Sequence, residues 1–261
     1  MPRLPRRLGH ADRVTLVEHL TELRTRILIS LAAVGAGFGL TYGFRHTLIG
    51  WLERPLPDGT RLITLSPGEA FNTSLSVSLY AAVALALPIL VWQTWLFLAP
   101  AFAESSAQLV VRLVGAATIL LLSGMAFAYW VVLPNGLDFL IGFDSELYDS
   151  QFVRARDYFG FAAGVIFGVG LLFELPIFIL GLVRLGILSS AKLRRNRRIG
   201  FGICIIGAVL LPGVDWVSMA LQTLPVLVLF EASIWAAVFF ERRWSEQIEA
   251  RREAFAAGSE Q

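Results

Sequence analysis

Among its 261 residues the sequence has one cysteine, Cys204, and three histidines, and only 16% of it is charged. A single thiol excludes an intramolecular disulfide, and its place in an apolar segment reads as a small core residue. His10, His19 and His46 all fall outside the long apolar runs. No Gly-x-Ser-x-Gly stands at such a run, and no cluster of His, Cys, Asp and Glu has metal-ligand spacing. Catalysis therefore has no candidate constellation, and neither an enzyme nor a cofactor or metal is expected. No internal repeat of the kind that marks many secondary transporters is visible. What the chain has in excess is apolar surface: 56% of it is hydrophobic and the mean hydropathy is +0.67, outside the soluble globular range. An integral membrane protein is expected. Its net charge of +2 fits the basic flanks of membrane spans better than nucleic-acid binding, because the arginines cluster at the ends of apolar runs.

Each charge at mid-membrane costs on the order of 2.5 to 3.5 kcal/mol on insertion scales, so uncharged windows locate the spans. Six appear: 27–44, 76–99, 113–133, 158–183 interrupted by Glu174, 199–214, and 216–240 interrupted by Glu231. The first begins after 26 residues and has no clear small-x-small cleavage site, so it reads as a retained span. The fifth is short; its 16 residues make roughly 24 Å of helix against a hydrocarbon core of about 30 Å. With six spans, 17 Lys and Arg fall on the side of the termini and five on the other, which predicts cytoplasmic termini. The expected architecture is an all-α membrane protein with six transmembrane helices, in a concave bundle with a short fifth helix. It divides into a cytoplasmic N-terminal segment 1–26, a membrane domain 27–240 and a cytoplasmic tail 241–261. The first outer loop, 45–75, should be an ordered cap with a turn at Pro57 to Gly59. The inner loop 185–198 is basic and reads as a topology anchor near anionic lipid.

Two carboxylates inside apolar windows are the most unusual chemical feature, because a buried ionised Glu must be paired, hydrated or held neutral. Glu174 precedes Pro176, whose missing N–H should loosen the helix near Leu172; a functional polar site and a structural hydrogen bond are both open readings. Glu231 needs a partner and is equally open. Pro88 adds a kink to the second span, and such kinks favour a concave bundle. At the cytoplasmic edge Glu18 and Glu22 share a helix face, with Arg26 four residues beyond Glu22. Carboxylates there suit a guanidinium ligand, and a plain Glu22–Arg26 salt bridge explains them as well.

The segment His19-Leu20-Thr21-Glu22-Leu23-Arg24 resembles the opening signature of the TatC family, the polytopic subunit of the twin-arginine protein translocase. Pro55-Leu56 and Ser66-Pro67-Gly68-Glu69-Ala70-Phe71 are similar to that family's first outer loop. Trp92 to Ala101, Gly124 to Tyr129, and Phe173-Glu174-Leu175-Pro176 are similar to its second, third and fourth helices. The resemblance runs from Val17 to about Phe240. It implies a receptor that binds twin-arginine signal peptides of folded substrates and assembles with further copies and with single-span TatA-type and TatB-type proteins in the inner membrane. The energy would come from the proton-motive force. By the family pattern Glu22 is a signal-binding glutamate, Arg24 and Phe97 belong to the same surface, and Glu174 is the polar residue of the concave membrane face. Pro55, Pro88 and Pro176 are its structural prolines.

One departure stands out. Where the family places a second signal-binding glutamate, after the second helix, this chain has Ser106. Glu104 lies two residues earlier and Glu18 is the other candidate to supply that carboxylate; without either, affinity for the arginine pair should be weaker. The competing readings are a divergent paralogue with reduced signal binding and a six-span transporter using Glu174 and Glu231 as a proton relay. Partner contacts are expected near Pro212 to Gln222, where Met219 takes a place that some relatives fill with a polar residue.

Overall fold

A computed structural model describes residues 16–98, 107–143, 152–184, 187–212 and 216–258. In chain order it comprises α1 (Leu16–Gly43), α2 (Arg45–Leu52), β1 (Arg61–Ile63), α3 (Glu69–Leu98), α4 (Ala107–Phe127), α5 (Leu133–Gly142), β2 (Phe152–Arg154), α6 (Ala155–Phe173), α7 (Leu175–Arg184), α8 (Ser190–Arg195), α9 (Arg197–Val209) and α10 (Trp216–Gly258). In lipid every backbone N–H and C=O needs an internal partner, and an uninterrupted apolar run meets that need as a helix. Among the described residues five stretches are long and apolar enough to cross a membrane: His19–Gly43, Glu69–Thr94, Val111–Gly142, Ala155–Arg184 and Trp216–Glu241. The remaining predicted window, 199–214, forms the 13-residue α9, which is not among these five. At 1.5 Å per residue that is about 20 Å, shorter than expected, because the chain leaves the helix at Leu210 in a turn before Pro212.

The third span is longer than its uncharged window. A single π turn at Ala128–Val132 joins α4 to α5, and Pro134 sits at the start of α5. Pro134 cannot donate to the carbonyl four residues back, and the wider turn absorbs that gap. Pro88 and Pro225 lie inside continuous helices. Only Pro176 coincides with a break, and it falls at Glu174, two residues beyond the expected Leu172: Glu174 bends α6 into α7, its N–H donating to Leu171 O at 3.1 Å.

α1 packs along α3 through small residues. A Cβ at Gly37 would stand 3.2 Å from Ala82 O, and Thr41 Oγ1 donates to Ser78 O at 2.8 Å, the close approach and interhelical hydrogen bond that membrane helices use. Two cores result. Ile177, Leu180, Cys204, Phe230 and Ile234 join α7, α9 and α10, whereas Tyr129, Val132, Leu133, Tyr158 and Phe159 join the α4–α5 rod to α6. The Phe230 ring occupies the place a side chain at Gly200 would take. Large apolar side chains such as Leu31, Ile119 and Val228 are exposed, as lipid-facing positions require.

The chain's course gives the bundle a basic end, with the start of α1, α8 and the tail of α10, and a cap end. The expected cap is ordered: Thr60 N–H donates to Pro57 O at 3.2 Å, and Gly59 takes φ +88°, a conformation glycine supplies without strain. Trp51 of α2 stacks on Tyr129 at 4.0 Å, Tyr129 Oη donates to Trp51 O at 2.7 Å, and Tyr158 Oη donates to Leu52 O. Unexpected in an all-helical reading is a two-stranded sheet. β1 pairs with β2 in parallel, Leu62 opposite Val153, and ties the two cap loops together. Beside it the Arg154 guanidinium donates to both oxygens of buried Glu69, at 2.8 and 3.3 Å, and Leu65 N–H adds a third bond to that carboxylate at 2.9 Å. The Glu69 bond holds Arg154 above its already high ordinary pKa.

Candidate functional site

At the basic end α1 runs unbroken through the charged segment before the first apolar window, so His19, Glu22 and Arg26, at spacings of three and four, share one face. That face meets the last turns of α3. His19 stacks on Phe97 with ring centroids 4.4 Å apart and an interplanar angle of 19°. Arg26 donates from Nε and Nη2 to Glu22 Oε1, and from Nη1 to Gln93 Oε1 at 3.2 Å. Gln93 and Phe97 are themselves four residues apart on α3, so the two helices form one polar and aromatic corner. Glu22 is 32% exposed and Arg26 19%, at the boundary between water and bilayer, where a charge-assisted pair is neither fully screened nor fully desolvated.

The corner brings together Glu22 and Phe97, two residues singled out in the sequence. It adds His19 and Gln93, which were quoted only as parts of motifs; their helical spacing to Glu22 and Phe97 was the signal available. Arg24 is exposed and lies roughly 160° around α1 from the shared face, at 100° per residue. Glu18 is on α1, but its side chain is outside the described ones, and Glu104 and Ser106 are outside the described residues. The salt bridge from Glu22 to Arg26 is formed, and both of its contacts fall on Oε1. A carboxylate offers about four acceptor positions over its two oxygens.

The deep carboxylates differ. Glu231 on α10 is paired with Arg197 at the start of α9, Nη2 to Oε1 at 2.9 Å, and both side chains are about a third exposed. The pair occupies one of the two groups that a proton relay would use. Glu174 is half-buried at the α6–α7 bend, and its Oε1 is buried without a hydrogen bond among the described residues. A carboxylate at a helix break, unpaired in an apolar wall, is a strong attractor for water or a polar ligand.

Pro55 is half-buried in the cap, and Pro88 is half-buried in α3. In the basic loop Ser189 accepts the Lys192 N–H, and Ser190 N–H donates to Glu241 Oε2 at 2.8 Å, which fastens α8 to α10. Near the expected partner region Gln222, 1% exposed, donates to Pro212 O at 3.2 Å.

The family model for Sec-independent protein translocase protein (TatC) matches residues 18–225. A Sec-independent protein translocase protein TatC of Desulforapulum autotrophicum is 33% identical over 244 residues, covering 92% of this chain and 90% of its own. TatCd of Bacillus subtilis is 33% identical over 236 residues, with 90% and 96% covered. A chloroplastic TATC of Arabidopsis thaliana is 32% identical over 224 residues, with 85% of this chain and 66% of that protein covered. A crystal structure of the twin-arginine translocase receptor TatC superposes with a TM-score of 0.74 at 29% identity, covering 85% of this chain and 99% of that one. The match includes α1 and α3, which make the Glu22 corner, and the Glu174 bend; the chain belongs to the TatC family of Sec-independent protein translocase proteins.

Proposed function

We propose that this membrane protein is the signal-peptide receptor of a twin-arginine translocase and that the α1–α3 corner is where the arginine pair docks. The observation that carries the reading is Glu22. Its carboxylate stands at the basic end with the Arg26 contacts on Oε1, and Oε2 would be the oxygen that accepts from an incoming guanidinium. Arg26 and Gln93 fix that carboxylate in place, and the stacked His19 and Phe97 rings offer an apolar flank for the peptide that follows the arginines. Glu18 and Glu104 are the two candidates for the second carboxylate, and Arg24 stands at the rim. The basic end would face the cytoplasm, as the distribution of arginines favours, with the protein in the inner membrane.

In this reading the protein binds and positions, and it carries no chemistry of its own. Single-span TatA-type and TatB-type proteins and further copies of this chain would complete the assembly, with the proton-motive force driving transport of folded substrates. Glu174 would hydrate the membrane wall along the route. Photocrosslinking from positions 22, 97 and 104 to a twin-arginine signal peptide tests the reading against a peptide with both arginines changed to lysine. Crosslinks from 97 and 104 should depend on the arginines, because lysine cannot make the bidentate contact, and Glu22→Ala, like the probe at 22 itself, should remove most of that dependence. Equal crosslinking of both peptides by a properly inserted protein would overturn it.

A further inference from the structure

A groove beside α3 and α6 at the cap end has two storeys, one in which charged and polar side chains stand beside Leu75, Phe159 and Phe161, and one almost wholly apolar. The upper one, a cavity of about 730 Å³, is lined by Asn72, Thr73, Ser76 and Tyr80 from α3 and by Arg156 and Asp157 from α6. The lower one, about 420 Å³, is almost wholly apolar; Ala84, Leu85, Ala163 and Phe167 line it together with Trp51 of the cap helix α2 and Met125 of α4. Tyr80 lines both storeys. The upper storey also holds an unsatisfied group, since Thr73 is 6% exposed and its buried hydroxyl has no hydrogen-bond partner among the described residues. Such an orphan costs stability unless something occupies the space beside it.

We propose that this groove binds one phospholipid from the leaflet at the cap end, of the class that carries a phosphate and a primary ammonium group. Arg156 takes the phosphate, Asp157 the ammonium, and the Thr73 hydroxyl a glycerol-ester or phosphate oxygen. One acyl chain descends past Tyr80 between Ala84 and Phe167. The lower storey selects against a peptide. An extended segment there would leave backbone N–H and C=O groups unpaired in an apolar wall, whereas a hydrocarbon chain has none to satisfy. A helix about 10 Å across would fill 420 Å³ within about one turn. The polar storey over the apolar one matches the order of a lipid's own parts, and the two exposed charges have the signs its head group needs.

Native mass spectrometry of the full chain, delipidated in detergent and titrated with phosphatidylethanolamine, phosphatidylcholine or diacylglycerol, tests this. Phosphatidylethanolamine should be retained best and diacylglycerol least. Arg156→Gln and Asp157→Asn, both at exposed positions that the fold tolerates, should each weaken its retention about threefold to fivefold, the range of a partly solvated ion pair. Arg61→Gln, a cap-end charge outside the groove, should leave retention unchanged. A benzoylphenylalanine at position 84 should crosslink lipid in native membranes. Equal retention of diacylglycerol, wild-type binding by both groove variants, or capture of a peptide from position 84 would overturn the proposal.

Discussion

Arg197 shows how one residue can carry two meanings. In the sequence it is one of a run of basic residues flanking a span; in the structure it reaches Glu231 on the facing helix. The residues' positions alone could not reveal the pair, because it joins α9 to α10 across a turn whose depth depends on where α9 stops. Removing one partner leaves a charge unpaired at the bilayer edge, whereas removing both does not. Arg197→Ala should therefore lower the thermal midpoint more than the double variant Arg197→Ala/Glu231→Ala. The coupling should be about 0.5–1.5 kcal/mol, typical of polar contacts between membrane helices. Equal midpoints for single and double variants would show the pair to be idle. Glu22 was easier to read. Its spacing to Arg26 lies within one helix and is visible in the sequence; only Gln93, 67 residues on, needed the fold.

Helices α6 and α7 would be one span but for Glu174 and Pro176. The proline alone does not dictate the break, since α3 and α10 each run through one. At Pro176 the turn is completed by a three-residue hydrogen bond from Glu174 to Leu171, and the helix restarts with Phe178 N–H on Glu174 O at 3.0 Å. Pro176→Ala restores an N–H able to reach Leu172 O, so the two helices should fuse. Spin labels near positions 155 and 184, in a Cys204→Ser background, should then move apart; an unchanged distance would place the cause of the bend in packing instead. At Gly200 an added methyl group would overlap the Phe230 ring. Gly200→Ala should cost about 1–3 kcal/mol of stability by over-packing, measured as a lowered thermal midpoint, and Phe230→Leu in the same chain should recover part of it. The existence of the long helices was legible from charge-free windows. Element ends were not: α5 extends the third span because the cap holds it, and α9 stops early because Leu211 and Pro212 settle against Gly168 and Gly164, part-way down α6.

For the molecule as a whole, a helix of about 20 Å beside others of 30 residues means that the membrane cannot have one thickness around it. The protein should be more stable in short-chain than in long-chain bilayers, and thermal unfolding in nanodiscs of graded lipid length will show it; a midpoint rising with chain length would mean that α9 is shielded from lipid. The sheet was invisible to sequence reading because three-residue strands carry no periodic signal. The pairing of Arg61 to Ile63 with Phe152 to Arg154 also has a consequence for biosynthesis. The first strand crosses to the cap side 91 residues before its partner exists, so at about 5–20 residues per second it waits roughly 5–18 seconds with its backbone unpaired. Glu69 waits for Arg154 over the same interval. The cap thus cannot close before the fourth span begins, and the finished molecule records in that small sheet the moment at which the fourth span arrived.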